Sequence, residues 1–156
     1  MKVTLFIFLM IFSTTTTFAQ IDNQKRFQSD QRKFYTYNYD FQKYELKETE
    51  YEHSIIDIRE VGSKTNGYIA ISLHDNGLTK LYHGSIYSYT QDSKDEGTWL
   101  FKSKDNKAKM TYNPKDNTIT FLFDGNKERY TKLYVFNVVP DELPDYKLKK
   151  IFETSK

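Results

Sequence analysis

The sequence predicts an all-β fold, a single-domain antiparallel β-meander of about eight strands. Apolar and polar residues alternate with a period of two through most of the chain, as in strands that bury one face. The segments between these strands have roughly two to seven residues, too few for the crossover helix that a parallel sheet requires. Beyond residue 19 the only alanines are Ala70 and Ala108, so the best helix former is scarce. The pattern favours closure into a small up-and-down barrel, and a β-sandwich is the second choice.

The individual strands are predicted from the alternation in chain order. The alternating segments lie at 34–41, 56–61, 69–73, 78–89, 99–101, 108–112, 119–123 and 130–136. The acidic stretch at 44–52 either prolongs the first strand or forms a brief helical turn. Asp75-Asn76-Gly77 is a strong hairpin signal, and Gly84 is a candidate bulge or point of close approach. The predicted core face comprises Ile56, Ile58, Ile69, Ile71, Trp99, Phe101, Met110, Ile119, Phe121 and Phe123.

The hairpin around residues 114–117 can be tested for register from the sequence. A four-residue loop at this position pairs Tyr112 with Ile119 and Met110 with Phe121. Apolar residues on one strand then meet apolar residues on the other, so the register agrees with the hydrophobic pattern.

The first 19 residues have the three-part pattern of a cleavable signal peptide. Lys2 precedes an apolar run at 3–12 that only Thr4 interrupts, and Thr17-Phe18-Ala19 is a small-x-small cleavage pattern. The apolar run is too short to span a bilayer, and no later window is long enough. We therefore expect cleavage between Ala19 and Gln20, a secreted or periplasmic protein, and no membrane span after cleavage.

The remaining chain divides into three parts by composition. Residues 20–33 are almost wholly polar, which predicts a flexible lead-in. The β domain is expected at 34–136. The tail at 137–156 contains two prolines and is expected to be irregular at first, with either a short helix or an edge strand at 145–152.

Composition excludes several functional classes. The chain has no cysteine, which removes disulfides, thiolate catalysis and cysteine-ligated zinc. Its net charge of +2 falls to +1 without Lys2, and this near-neutral balance does not favour nucleic-acid binding. We expect a monomer.

Short motifs add little specific chemistry. Gly97-Thr98-Trp99 is similar to the Gly-x-Trp element of the lipocalins, and a barrel would share their general shape. In that family the element belongs to the first strand, whereas here it comes late in the chain, so no family residue is transferred. At the Asn76-Gly77 turn, a two-residue loop places His74 opposite Thr79, and a three-residue loop with a bulge places it opposite Leu78. Neither register pairs His74 with another histidine. We predict no catalytic residue, no metal site and no cofactor.

Tyrosine is the one excess that suggests a binding role. There are thirteen tyrosines, and each offers a flat apolar ring with a polar tip. Alternatively, the rings fill the core of a leucine-poor barrel. The candidate binding residues fall into two groups. The first is a stripe of Tyr35, Tyr37 and Tyr39, which Phe41 continues. The second comprises Tyr82, Tyr87 and Tyr89.

The resulting functional hypothesis is an exported, soluble, non-catalytic binding module of the cell envelope or secretome. Its ligand would be a glycan, a small lipid or a protein. The alternative is a structural or protein-interaction protein, such as a secreted inhibitor. A small hydrolase is the weakest alternative, because no acid pair or nucleophile motif stands out from the sequence.

Overall fold

A computed structural model describes residues 22–93, 96–104, 106–125 and 129–141, and the regular structure within these ranges is entirely β-strand. The strands pair antiparallel in the order β2-β1-β3-β4-β5-β6-β7-β8-β9, and β1 also pairs with β9. Eight strands therefore close into an up-and-down barrel, and β2 is an extra strand beside β1. The described strands are β1 (Asp22–Asn38), β2 (Lys43–Glu50), β3 (Ser54–Val61), β4 (Ser63–Asp75), β5 (Leu78–Gln91), β6 (Gly97–Ser103), β7 (Asn106–Asn113), β8 (Thr118–Gly125) and β9 (Tyr130–Asp141).

The first strand corrects the expected flexible lead-in. The expectation for 20–33 was wrong from residue 22 onward, because β1 begins at Asp22. One edge of β1 pairs first with β3 and then with β2, while its other edge pairs with β9. Phe27, Ser29 and Arg32 turn inward and are buried. Backbone pairing on both edges thus keeps this segment in the sheet, although most of its side chains are polar.

The limits of the domain also differ from those expected. β9 continues to Asp141, so residues 137–141 of the predicted irregular tail belong to the barrel. At the other end of the predicted domain, β1 ends at Asn38, and the aromatic residues at 39 and 41 lie in the turn that follows. The predicted signal at 1–19 and the segment at 145–152 lie outside the described residues.

The register predicted for the 114–117 hairpin is confirmed, and the structure decides between the two registers considered for the hairpin at 76–77. Tyr112 pairs with Ile119 and Met110 pairs with Phe121. His74 pairs with Thr79 across a two-residue turn, whose Asn76 and Gly77 both have positive φ, 50° and 78°. Gly84 is a point of close approach, since a Cβ there would lie 2.5 Å from the carbonyl oxygen of Lys102.

All ten predicted core residues are buried, and they fill one end of the barrel and its middle. This filled part extends to what we call the closed end, where β3 and β4 are joined. There the Trp99 ring lies 5.1 Å from that of Tyr89, and its indole N–H donates to the buried carboxylate of Glu60 at 3.3 Å. Asn23 donates to the same carboxylate at 2.9 Å. The closed end is therefore packed with apolar groups, and its one buried acid is satisfied.

Candidate binding site at the open end of the barrel

Two adjoining cavities lie at the opposite end, which we call the open end, where β4 and β5 are joined. The side cavity has a volume of about 350 Å³, and its apolar lining includes Phe101 and Ala108. The mouth cavity has a volume of about 520 Å³ and is mostly polar. Tyr82, Phe123 and Lys132 line both cavities, so the two are neighbouring parts of one depression.

The cavities exist because the strands at this end differ in length. β5 pairs with β6 only from Ser85 onward, which leaves residues 78–84 without a partner on that edge among the described strands. The side cavity opens at this gap. Likewise, β2 pairs with β1 alone in the described sheet, and residues 48–50 border the mouth cavity.

Aromatic rings form the floor of both cavities. The Phe123 ring stacks on that of Phe121 at 4.7 Å and on that of Tyr134 at 5.7 Å. Tyr82 reaches across the barrel to Phe123, with ring centroids 4.9 Å apart, and Phe34 lies 4.9 Å from Tyr134. A ligand at the open end would therefore rest on a continuous aromatic surface.

Two tyrosine hydroxyls on this floor are free to bind a ligand. Within the described part of the chain, neither the Tyr82 nor the Tyr134 hydroxyl has a hydrogen-bond partner, and no fully buried polar atom lacks one. Both hydroxyls must therefore be reached from the cavity, although Tyr134 is only 7% exposed. Burial raises the pKa of both hydroxyls, and Glu50 raises that of Tyr134 further. Each hydroxyl stays neutral at ordinary pH and can both donate and accept.

Arg32 organises the wall beneath the mouth cavity. Its side chain is only 1% exposed, and its guanidinium forms an ion pair and a hydrogen bond with Glu50. It also donates to the Ser54 hydroxyl at 2.9 Å and to the carbonyl oxygen of His74 at 2.6 Å. The Glu52 carboxylate lies 3.7 Å from the guanidinium. Arg32 thus joins β1 to the end of β2, β3 and β4.

Two lysines at the open end are paired with acids. Lys80 forms an ion pair with Asp75, and their hydrogen bond lowers the pKa of Asp75 and raises that of Lys80. Lys132 lies 2.5 Å from Asp124. By contrast, Glu48 lines the mouth cavity without a partner among the described side chains. The mouth therefore carries both signs of charge and one free carboxylate.

The structure separates the six tyrosines that the sequence proposed as binding residues. Tyr82 lines both cavities, whereas Tyr89 packs against the core at the closed end. Tyr87 is exposed at an irregularity of β5 between its neighbours 86 and 88. The stripe of Tyr35, Tyr37 and Tyr39 does not belong to the core and lines neither cavity. Their role in binding stays a prediction.

The stripe contributes to an aromatic surface on the β1–β2 hairpin. The Tyr37 ring lies 5.1 Å from that of Tyr39 and 5.2 Å from that of Tyr44, both edge to face. Arg129 lies over the Tyr37 ring at 4.4 Å. Tyr39 is 60% exposed, and Phe41 in the same turn is 67% exposed. We call Tyr37, Tyr39, Phe41 and Tyr44 the hairpin patch.

Sequence reasoning missed Arg32 and Tyr134 as parts of the site. A bulge between residues 28 and 31 shifts the inward positions of β1 from odd to even numbers, which turns Arg32 inward. The seven-residue spacing of Phe27 and Phe34 was the available signal, since an odd spacing cannot place two residues on one face of a regular strand. Tyr134 lies in a predicted strand, but alternation does not tell how near the open end a residue lies.

Other chemistry has little support among the described residues. No group of three histidine or acid side chains there could hold a metal ion, and no helix there is long and apolar enough to cross a membrane. His53 hydrogen-bonds to Asp30 at 2.9 Å, a neighbour that the sequence did not indicate. Hydrogen bonds lower the pKa of Glu45 and Asp75, the opposite of the shift that a general acid requires.

Comparison with known proteins identified no matching family model, no similar curated protein and no similar solved structure. Function is therefore inferred from the residues of the barrel itself.

Proposed function

We propose that this protein is an exported, non-catalytic binding barrel that holds a small molecule at its open end. The observation that carries the proposal is the unpartnered Tyr134 hydroxyl, which is almost buried yet faces a cavity with an aromatic floor. Because this hydroxyl is reached from the cavity, a ligand there can hydrogen-bond to it in place of water while its apolar part covers the aromatic floor.

The dimensions and lining of the cavities support this proposal. Ligand sites in proteins are concave, have volumes of roughly 300–1,000 Å³, and combine aromatic walls with a few polar groups. Both cavities fall in this range, and both include Tyr82 and Phe123. The leader pattern at 1–19 supports export, because it has the charged start, apolar centre and cleavage site of a signal peptide.

A pair of variants on β6 tests the proposal. Ser103 lines the side cavity, and the neighbouring Lys102 is exposed on the other face of the strand. A library of small fragments would be screened against the chain from residue 20 by saturation-transfer NMR. We expect Ser103→Phe to fill the cavity and remove the bound fragments, whereas Lys102→Phe should retain them. Equal binding by both variants would contradict a site in this cavity.

The hairpin patch supports a second candidate function, the binding of another protein. Exposed aromatic rings are enriched in protein interfaces, and Tyr39 and Phe41 are the most exposed rings of this patch. Replacing Tyr35, Tyr37 and Tyr39 by alanine should then abolish capture of a protein partner while leaving fragment binding at the open end unchanged. Loss of folding in this triple variant would instead show that the stripe is structural.

A further inference from the structure

We propose that the open end takes a primary-amine ligand, with its ammonium group in the mouth cavity and its apolar arm on the rings of the side cavity. This inference rests on the proposed function and adds the chemical class of the ligand.

The balance of charge around the mouth cavity favours a cation. Among the described residues that line this cavity or pair with its lining, five carboxylates face three cations. Arg32 is shared between Glu50 and Glu52, and Glu48 has no partner. The carboxylates are Glu48, Glu50, Glu52, Asp75 and Asp124, and the cations are Arg32, Lys80 and Lys132. A ligand ammonium would compensate part of this excess, whereas an anion would add to it.

The aromatic lining is suited to the same group. Phe34 and Tyr82 line the mouth cavity, and the faces of such rings attract cations, as the Tyr134 ring of the same cavity does with Arg32 at 6.0 Å. An ammonium group has three N–H donors and no acceptor. Acceptors of this cavity without a protein partner in the described structure include the hydroxyls of Tyr82 and Tyr134 and the carboxylate of Glu48. Tyr134 is the independent observation, because the residue is only 7% exposed and its unpaired hydroxyl is reached from the cavity, whatever the charge around it.

The side cavity provides the place for an apolar arm. Its lining includes Phe101, Ala108, Phe121 and Phe123, and it continues into the mouth cavity at Tyr82. Lys107 lines the side cavity but not the mouth cavity, so its positive charge lies away from the carboxylates of the mouth. The ligand should therefore be amphiphilic, with its positive end directed toward β2.

Three matched compounds test the inference by isothermal titration calorimetry: 4-phenylbutylammonium, 4-phenylbutanol and 4-phenylbutyrate. They share the same arm and differ mainly in the charge of the head group. We expect the ammonium compound to bind most tightly and the carboxylate most weakly. Equal binding of the alcohol and the ammonium compound, or tighter binding of the carboxylate, would overturn the inference and leave the proposed function standing. Failure of all three compounds to bind would also overturn the inference, whereas the fragment screen with the Ser103 and Lys102 variants tests the proposed function separately.

Two variants of β2 locate the charge effect. Glu48→Gln should weaken binding of the ammonium compound about 5- to 10-fold, as expected for loss of one charge contact, and should leave the alcohol unchanged. Glu45→Gln is the control, because Glu45 is on the same strand but does not line the cavity. An equal effect of both variants would overturn the assignment to the mouth cavity. Urea unfolding of both variants would verify that each is folded.

Discussion

Side chains alternate inward and outward in the same way at both ends of this barrel, but the inward side chains differ in type. At the closed end the inward positions hold Trp99, Ile119 and Phe136, all of them buried. At the open end the equivalent inward positions of β5 and β9 hold Lys80 and Lys132, beside two cavities. Alternation therefore determines which residues face inward. The type of those residues determines whether that part of the barrel is packed or contains cavities that could hold a ligand. The comparison predicts that substitutions at the closed end reduce stability and that those at the open end alter binding.

The largest effect on stability is expected from Trp99→Ala. The ring is buried against Tyr89 and donates to Glu60, so its removal leaves a cavity and takes away one of the two hydrogen-bond donors to a buried carboxylate, the other being Asn23. We expect a loss of about 3–5 kcal/mol in the free energy of unfolding, measured by urea denaturation. Phe41→Ala is the control, because the Phe41 ring is largely exposed and should change stability by only about 0.5 kcal/mol. Similar losses in the two variants would contradict the packing described for the closed end.

A somewhat smaller loss, about 3 kcal/mol, is expected from Arg32→Met. This change leaves Glu50 near the barrel interior without its cation and removes the donors to Ser54 and His74. The double variant Arg32→Met, Glu50→Gln removes the uncompensated charge and should recover part of the loss. A double variant less stable than Arg32→Met alone would show that the ion pair does not account for the effect.

Tyr134→Phe should change stability by less than about 1 kcal/mol, because the hydroxyl that it removes has no partner among the described residues. Binding of 4-phenylbutylammonium should nevertheless weaken, since an acceptor in the mouth cavity is lost. Calorimetry and urea unfolding on the same preparation separate the two effects. A large loss of stability with unchanged affinity would assign this residue to the core alone.

The smallest effect concerns the pH response of Asp75. Its hydrogen bond from Lys80 lowers its pKa below the ordinary value of 3.8. Its contribution to stability is therefore present above pH 3.8 and is lost as the pH falls through the lowered pKa. Lys80→Met should return the pKa of Asp75 toward 3.8, as measured by NMR titration of the carboxyl carbon. A titration midpoint unchanged by this substitution would contradict the ion pair.

The strands and their registers were predictable because they depend on local pattern. Tyr112 opposite Ile119 follows from the loop length and the alternation, and both operate over a few residues. The strand at 22–33 was missed because its order comes from backbone pairing with distant strands and not from its own apolar content. Of the candidate site residues, Tyr82 was named from the sequence. Arg32 was not, since a bulge reverses the direction of its side chain.

We expect a small molecule to bind at the open end of the barrel and not at the closed end. Amide chemical-shift mapping with 4-phenylbutylammonium tests this expectation most directly. We expect the largest shifts in residues 48–52, 78–84, 101–103, 106–108, 121–124 and 132–134, which include the lining of the cavities, and little change around Trp99 and Glu60. Largest shifts on the hairpin patch, or shifts spread evenly over the outer surface, would contradict it.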